Sequence, residues 1–143
     1  MKEPAIIDKT FPPYYYLVDY CTFNQNRRII MTSIGMVGTG AMGKGIAMNL
    51  LKAGYPLTAY TRNTKSGTAA AIELKNQGAV ITDKLQEIFS AAETLILCVP
   101  ASPDVEELLI EKNGLAYFTE TTVRTVLDLS TSHPESTKKI AAV

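Results

Sequence analysis

Cysteine and net charge are both scarce in this chain of 143 residues. Its two cysteines, Cys21 and Cys98, are too few for a disulfide framework, and no CxxC pair or Cys/His cluster suggests a metal site. Cys98 lies in an apolar run and is expected to be buried. Fourteen basic and fourteen acidic residues cancel, which gives no electrostatic reason to expect nucleic acid or an anionic membrane as a partner. We therefore expect a reducing, cytoplasmic setting and no metal.

Long apolar runs are missing as well. No stretch reaches the roughly 18 apolar residues that a membrane-spanning helix requires. Proline and charged residues between positions 4 and 19 interrupt any apolar segment of a signal peptide. The composition, with 46% hydrophobic and 20% charged residues, is that of a globular domain. The length favours one domain over two.

Residues 1–30 differ in composition from the rest and hold six of the eleven Phe and Tyr residues. Neither a helical nor a strand period is sustained there. Because Met31 directly precedes the first regular element, we interpret residues 1–30 as a peripheral extension or as upstream sequence translated from an early start. The alternative is an aromatic segment that docks on a partner. Residues 31–143 are predicted to form one domain.

Strands and helices alternate from residue 33 onward. Asp83 with Gln86 is expected to form a capping box at the third helix, and Ser102 is expected to cap the fourth, ahead of Pro103. Helical crossovers of this length predict an α/β, Rossmann-type, doubly wound parallel sheet with three αβα layers. The predicted strands are 33–37, 57–60, 79–81, 94–99 and 123–127; the predicted helices are 42–53, 64–77, 83–92, 103–110 and one that begins at Pro134.

The central motif is Gly-Thr-Gly-Ala-Met-Gly at residues 38–43, a G-x-G-x-x-G between a strand and a helix. Gly38 would allow the tight turn, Gly40 the close approach of a pyrophosphate, and Gly43 the packing of helix on strand. The first amides of the helix would bind the phosphates. A purely structural turn is the alternative. The motif predicts a dinucleotide site made by Gly38, Gly40, Ala41, Met42 and Gly43.

No carboxylate follows the second predicted strand, where an NAD site usually places one for the ribose 2′-hydroxyl. Arg62 stands there instead and would offer a planar fork to a 2′-phosphate, with Thr61, Asn63 and Thr64 as further donors. The alternative is a solvated loop arginine. This pattern predicts NADP(H) as the cofactor.

Two further loops follow the fourth and fifth predicted strands. Val99 and Pro100 should lie over the cofactor, because ligands of open α/β sheets bind at the carboxyl ends of the strands. Ser130 and Thr131 could hold a substrate carboxylate, or could simply cap the next helix. His133 is interpreted as an exposed loop residue rather than an acid/base group, so no catalytic residue is assigned in this chain.

From Ile34 to its end the chain resembles the N-terminal half of the β-hydroxyacid dehydrogenases, which include 3-hydroxyisobutyrate dehydrogenase, tartronate semialdehyde reductase and the glyoxylate/succinic semialdehyde reductases. The resemblance is carried by the sequences IGMVGTGAMG (34–43), NLLKAGY (49–55), VP (99–100), NGL (113–115) and DLST (128–131) with Pro134. It implies that the glycines bind the pyrophosphate, Arg62 the 2′-phosphate, and Ser130 and Thr131 the substrate carboxylate.

The chain departs from this family in two respects. Residues 1–30 have no counterpart, and the family's catalytic lysine lies in a helical C-terminal domain that has no match before Val143. The sequence therefore predicts the NADP(H)-binding domain of an oxidoreductase that reduces small semialdehydes or 2-oxo acids, or oxidises 3-hydroxy acids. The chain itself is expected to lack turnover, to bind a small carboxylate only together with the further domain, and to self-associate through an exposed edge. The alternatives are a non-catalytic nucleotide-binding module and an unproductive gene fragment.

Overall fold

A computed structural model describes residues 32–62 and 68–143. Five parallel strands form one sheet in the order β3-β2-β1-β4-β5, which confirms the predicted Rossmann-type fold. The strands are β1 Ile34–Val37, β2 Leu57–Tyr60, β3 Val80–Thr82, β4 Thr94–Leu97 and β5 Thr125–Asp128. The helices are α1 Ala41–Lys52, α2 Ala69–Asn76, α3 Leu85–Ala91, α4 Ser102–Leu109 and α5 Pro134–Ala141, with a 3-10 turn at Leu115–Tyr117.

The central strands β1 and β4 are buried on both faces. Ile34 pairs with Thr94 and Val37 with Leu97 in parallel register, and all four residues of β1 are buried. A continuous apolar strand is the pattern that parallel sheets require, because helices cover both of their faces. The centre of the sheet is thus fixed by the two apolar runs that the sequence contains.

The core lies in two layers, one on each face of the sheet. Alternate residues of the central strands separate the layers, since successive side chains of a strand point to opposite faces. Val37 and Leu97 pack with Phe89 of α3 and Val105 of α4. The layer on the other face contains Ile34, Met36, Ala47, Leu57, Ala59, Leu74, Ala79 and Ile96.

Four helix starts differ from the sequence-based predictions, and α1 begins one residue early, at Ala41. α2 begins at Ala69, because Thr68 has an extended backbone and its side chain accepts a hydrogen bond from the Ala71 amide; the predicted start at residue 64 is wrong. The N-cap of α3 is Lys84 and no side-chain cap is formed there, so the Asp83–Gln86 capping box is wrong. β3 extends to Thr82, and the Thr82 hydroxyl accepts a hydrogen bond from the Lys84 amide. This contact stands where the Asp83 cap was predicted.

The start of α4 also lies one residue earlier than predicted. Ala101 is the N-cap, and Ser102 is the first helical residue, followed by Pro103. The Ser102 hydroxyl is therefore not a cap; it accepts a hydrogen bond of 2.6 Å from the backbone amide of His133. The Ser102 hydroxyl was predicted to bind an amide of its own helix, and it binds an amide of the loop after β5 instead.

The two edges of the sheet are β3 and β5. All four residues of β5 are exposed, and α5 is joined to α4 by the Lys139–Glu106 ion pair of 2.5 Å. Within residues 32–62 and 68–143 no helix is long and apolar enough to cross a membrane. Residues 1–30 lie outside the described residues, and their peripheral position stays a prediction.

Candidate functional site

The turn between β1 and α1 is closed by backbone-to-backbone packing. Gly38 has φ of +96°, a conformation that L side chains rarely adopt. A Cβ on Gly38 would also overlap the carbonyl oxygen of Cys98. The chain can turn sharply after β1, against the end of β4, only because residue 38 is glycine.

Gly43 is the second position at which a side chain cannot be accommodated. A Cβ there would overlap the carbonyl oxygen of Gly38 and come within 3.0 Å of the Met36 side chain, which is fully buried. α1 therefore contacts the preceding turn directly. This contact fixes the direction of the helix relative to the sheet.

Gly40 has the opposite surroundings. No heavy atom would lie within 4 Å of a Cβ placed on it, although it stands directly between the two tightly packed glycines. It is the N-cap of α1, and neither a capping side chain nor an acidic residue occupies the first turn. The first amides of α1 thus have no side-chain cap and start beside the open space at Gly40, an arrangement that suits an anion.

A cavity of about 390 Å³ opens beside this turn, at the carboxyl ends of β1, β2 and β4. Ligands of open α/β sheets bind at this place, where the chain connections leave in opposite directions. The cavity brings Gly38, Thr61, Arg62, Val99 and Pro100 together, all of which the sequence analysis assigned to the cofactor. Its remaining lining residues are Val37, Thr39, Tyr60, Thr68, Leu85, Asp104, Glu107 and Leu108.

Arg62 is one of the residues that line this cavity. Its side chain is 76% exposed, and its guanidinium is 3.9 Å from the carboxylate of Asp104. A pair this long and this exposed holds the arginine only weakly. Thr61, by contrast, is buried, and its amide donates to the backbone oxygen of Thr82 at 2.9 Å. The backbone is thus fixed at residue 61, while the one ion pair that Arg62 makes with the described residues is weak. Asn63 and Thr64 lie outside the described residues.

The loop after β5 is connected to the cavity through one hydroxyl. The backbone amide of Val99 donates to Ser130 Oγ at 3.0 Å, and the Ser130 amide donates to Asp128 Oδ1 at 2.9 Å. Ser130 therefore stands beside the Val99–Pro100 loop and keeps its hydroxyl proton for another acceptor. Thr131 is exposed and directly follows it.

His133 acts as a cap in this structure. It is exposed, and its Nδ1 accepts a hydrogen bond from the Glu135 amide at the start of α5. Its backbone amide contacts Ser102, as described above. These contacts tie the loop after β5 to the first turn of α4, so the two loops that follow β4 and β5 form one unit.

Sequence reasoning missed the two carboxylates of the cavity, Asp104 and Glu107. Both belong to α4, where Asp104 stands in the first turn and reads as an ordinary helix-start residue. The available signal was topological: β2 and β4 flank β1, so the segments that follow them leave the sheet at the same end. A single sequence gives no distance for that approach.

Comparison with known proteins gives a consistent result. Residues 33–143 match the family model of the NAD binding domain of 6-phosphogluconate dehydrogenase. 3-Hydroxyisobutyrate dehydrogenase and NAD-dependent L-serine dehydrogenase, both of Pseudomonas aeruginosa, are 35% and 36% identical to the chain over 112 and 115 residues. Each match covers 78% of this chain and 36% of the relative, so the chain spans about a third of the length of these relatives.

A solved structure with the same fold is the reductive aminase of Aspergillus terreus in complex with NADPH4, cyclohexanone and allyl amine. Its TM-score to this chain is 0.62 at 25% sequence identity, and the match covers 78% of this chain and 36% of that one. The names of these similar proteins include both NAD and NADPH.

Proposed function

This chain is an NAD(P)-binding domain of the hydroxyacid dehydrogenase type and belongs to the family of the 6-phosphogluconate dehydrogenase NAD-binding domain; on that premise we propose that it binds NADP(H) for an oxidoreductase. The substrates would be small semialdehydes, 2-oxo acids or 3-hydroxy acids. One observation carries the proposal: the glycine turn that precedes the uncapped start of α1 lines, through Gly38 and Thr39, the same cavity as Arg62.

The preference for the phosphorylated cofactor rests on Arg62. Among the described residues its guanidinium has one ion-pair partner, the partly buried Asp104 carboxylate at 3.9 Å. A 2′-phosphate carries more charge and would make short, bidentate contacts, so it would displace Asp104. The two carboxylates of α4 that line the cavity would repel a 2′-phosphate and so oppose this preference. The ratio of the affinities for NADPH and NADH is therefore a sharp test of the role of Arg62.

When it is bound, the nicotinamide cofactor supplies or accepts a hydride. The chain's own residues would bind and orient it: the α1 amides at the pyrophosphate, Arg62 at the 2′-phosphate, and Val99 with Pro100 along one side. Ser130 and Thr131 would receive a substrate carboxylate, since the Ser130 hydroxyl keeps a proton to donate.

We further propose that the chain of 143 residues binds the cofactor without turnover. Reduction of a carbonyl requires a positioned proton donor, which contributes roughly 10²–10⁴-fold. Among the described residues around Ser130, His133 Nδ1 already accepts from the Glu135 amide. Asp128 accepts from the Ser130 amide and the Ser132 hydroxyl. With Nδ1 engaged, His133 keeps a proton only on Nε2 of an exposed side chain that caps α5, and the Asp128 carboxylate accepts through both oxygens, so we assign neither as the proton donor.

Calorimetric titration with NADPH and NADH tests the binding proposal on the wild type and three variants. Gly40→Ala should keep the fold, because its φ of −64° suits alanine and its Cβ meets nothing, yet it should abolish binding of both cofactors. Arg62→Ala should weaken NADPH roughly 10- to 150-fold and leave NADH unchanged. Gly45→Ala, on the same helix with open space around it, is the matched control.

Equal wild-type affinity for the two cofactors would contradict the NADP(H) preference, and full binding by Gly40→Ala would contradict the site. NADPH oxidation by the purified chain should be absent with glyoxylate, succinic semialdehyde and tartronate semialdehyde. Sustained turnover with any of them would overturn the proposal that the chain lacks turnover. We also propose a cytoplasmic setting and self-association through an exposed edge of the domain.

A further inference from the structure

A carboxylate stands beside Arg62, although the sequence places none at the end of β2. Asp104, in the first turn of α4, has its Oδ1 3.9 Å from the Arg62 guanidinium, and both residues line the same cavity. Sites for NAD usually take the carboxylate that binds the ribose 2′-hydroxyl from the end of the second strand. Here the fold brings a carboxylate to the neighbourhood of that strand end from a different helix.

The backbone at Asp104 is fixed by packing, whereas its carboxylate is available as an acceptor. The next residue, Val105, is fully buried, and the Asp104 amide donates to the backbone oxygen of Ala101 at 3.1 Å. The contact of the carboxylate with Arg62 is longer than a hydrogen bond, and it forms no other ion pair with the residues that the structure describes. An ionised carboxylate only accepts hydrogen bonds, so a hydroxyl is a suitable ligand for it.

NADP and NAD differ at the 2′ position of the adenosine ribose, which carries a phosphate in one and a hydroxyl in the other. A phosphate that contacts Arg62 would be repelled by Asp104, whose side chain would have to turn away. A hydroxyl at the same ribose position is an uncharged donor, so Asp104 could accept from it without leaving Arg62. One pair of side chains thus offers a separate partner to each cofactor.

We propose that Asp104 accepts a hydrogen bond from the 2′-hydroxyl of the adenosine ribose, and that the domain therefore binds NAD(H) as a second cofactor. Arg62 selects the phosphorylated cofactor and Asp104 the unphosphorylated one. NADPH remains the tighter ligand, because its contacts with Arg62 are bidentate and join two full charges. The inference rests on the proposed function, since it concerns the same site, and it adds the residue that determines how strongly the cofactor without the phosphate is bound.

Glu107 provides a comparison within the same cavity. It follows Asp104 by one turn of α4 and also lines the cavity, but it is exposed and forms no ion pair with any residue in the described part of the chain. Its charge opposes a phosphate as that of Asp104 does, whereas no arginine marks it as close to the 2′ position. Removing either carboxylate lowers the negative charge of the cavity, so only the removal of Asp104 should have an effect that depends on the 2′-hydroxyl.

Calorimetric titration of the 143-residue chain with NADH and NADPH measures this effect. Asp104→Ala should weaken NADH on the order of tenfold, because the acceptor of the hydroxyl is lost. The same variant should strengthen NADPH roughly two- to fivefold, because a repulsive charge is lost. Opposite changes for the two cofactors cannot come from a damaged fold. Asp104→Asn keeps one neutral oxygen and should weaken NADH less, and Glu107→Ala should change the affinity for NADH by less than about twofold.

An NADH analogue that lacks the 2′-hydroxyl of the adenosine ribose tests the contact itself. The wild type and Glu107→Ala should bind this analogue on the order of tenfold more weakly than NADH, whereas Asp104→Ala should bind the two equally. The inference is overturned if the wild type binds NADPH but not NADH, if it does not distinguish NADH from the analogue, or if Asp104→Ala still does. A wild type that binds neither NADPH nor NADH would overturn the proposed function, and this inference with it.

Discussion

The turn between β1 and α1 is closed by contacts between backbone atoms, whereas, beyond the backbone pairing of β5 with β4, the loop after β5 and α5 are joined to their neighbours by side chains near the surface. At the turn, Gly38 and Gly43 leave no space for a methyl group. At the other region, a serine hydroxyl and the Lys139–Glu106 ion pair make the connections. We therefore expect substitutions in the glycine turn to lower the free energy of unfolding strongly, and substitutions near β5 and α5 to lower it only slightly.

The largest effect is expected from Gly43→Ala. Its Cβ would overlap the Gly38 carbonyl, and backbone atoms cannot move away as a flexible side chain can. We expect a loss of about 3 kcal/mol or more in the free energy of unfolding. Urea denaturation followed by circular dichroism measures this change.

Gly45→Ala supplies the matched control on the same helix. Gly45 has open space around it, so alanine should stabilise the chain by roughly 0.5–1 kcal/mol through helix propensity. Opposite signs for two Gly→Ala changes two residues apart are the expected outcome. Equal changes in stability for Gly43→Ala and Gly45→Ala would show that the close packing at Gly43 does not matter for stability.

A smaller effect is expected from Ser130→Ala. The change removes the acceptor of the partly buried Val99 amide and should cost about 1 kcal/mol. Ser132→Ala is the control, because that hydroxyl donates only to the exposed Asp128 and its loss should be close to neutral. If the two variants unfold at the same urea concentration, the hydroxyl does not hold the two loops together.

The smallest effect concerns pH. The Lys139 ammonium, followed by the Ser136 hydroxyl, holds the pKa of Glu106 below its ordinary value. Since this pKa is lower in the folded state, its contribution to stability is present at neutral pH and is lost as the pH falls through the folded pKa. Glu106 in turn raises the pKa of Lys139, so that contribution is lost only as the pH rises through the raised value.

Lys139→Met should therefore reduce the dependence of stability on pH in the acid range while changing little else. Unfolding midpoints between about pH 3 and 6 measure it. Lys138→Met is the control, because Lys138 pairs with Glu135 within α5 and not with another helix. A Lys139→Met chain with an unaltered acid profile would assign the pH dependence to other carboxylates.

Regular elements and the glycine turn could be predicted from the sequence because each follows from local chemistry. β2 has the predicted bounds and α5 begins at Pro134 as predicted, since an apolar run and a proline act over a few residues. The glycine spacing also indicated that Gly38 and Gly43 would be closely packed and that Gly40 would have open surroundings. The family resemblance is confirmed by the match over residues 33–143, whereas the individual site residues stay predictions.

Contacts between distant elements could not be predicted. Asp104 approaches Arg62 across 42 positions of the sequence, and Ser102 accepts from His133 across 31. Which residues meet in such pairs depends on how the helices are placed on the sheet, and a single sequence does not indicate that placement. The wrong capping predictions at Asp83 and Ser102 have related causes. The Thr82 hydroxyl binds the Lys84 amide in place of an Asp83 cap, and the distant His133 amide binds the Ser102 hydroxyl.

The strand order has a consequence for folding during synthesis. β1 lies between β2 and β4, so one neighbour follows it after about 20 residues and the other only after Leu97 has been made. Until then β1 has one bare edge, and the strands β1 to β3 are the only part of the sheet that can assemble. Pairing with β4 must bridge a long segment, which makes it a slow step, and the Gly38 turn cannot close against Cys98 before it. On a ribosome the site that would hold the nucleotide is therefore completed only after β4 has been made, although its glycine turn is translated early.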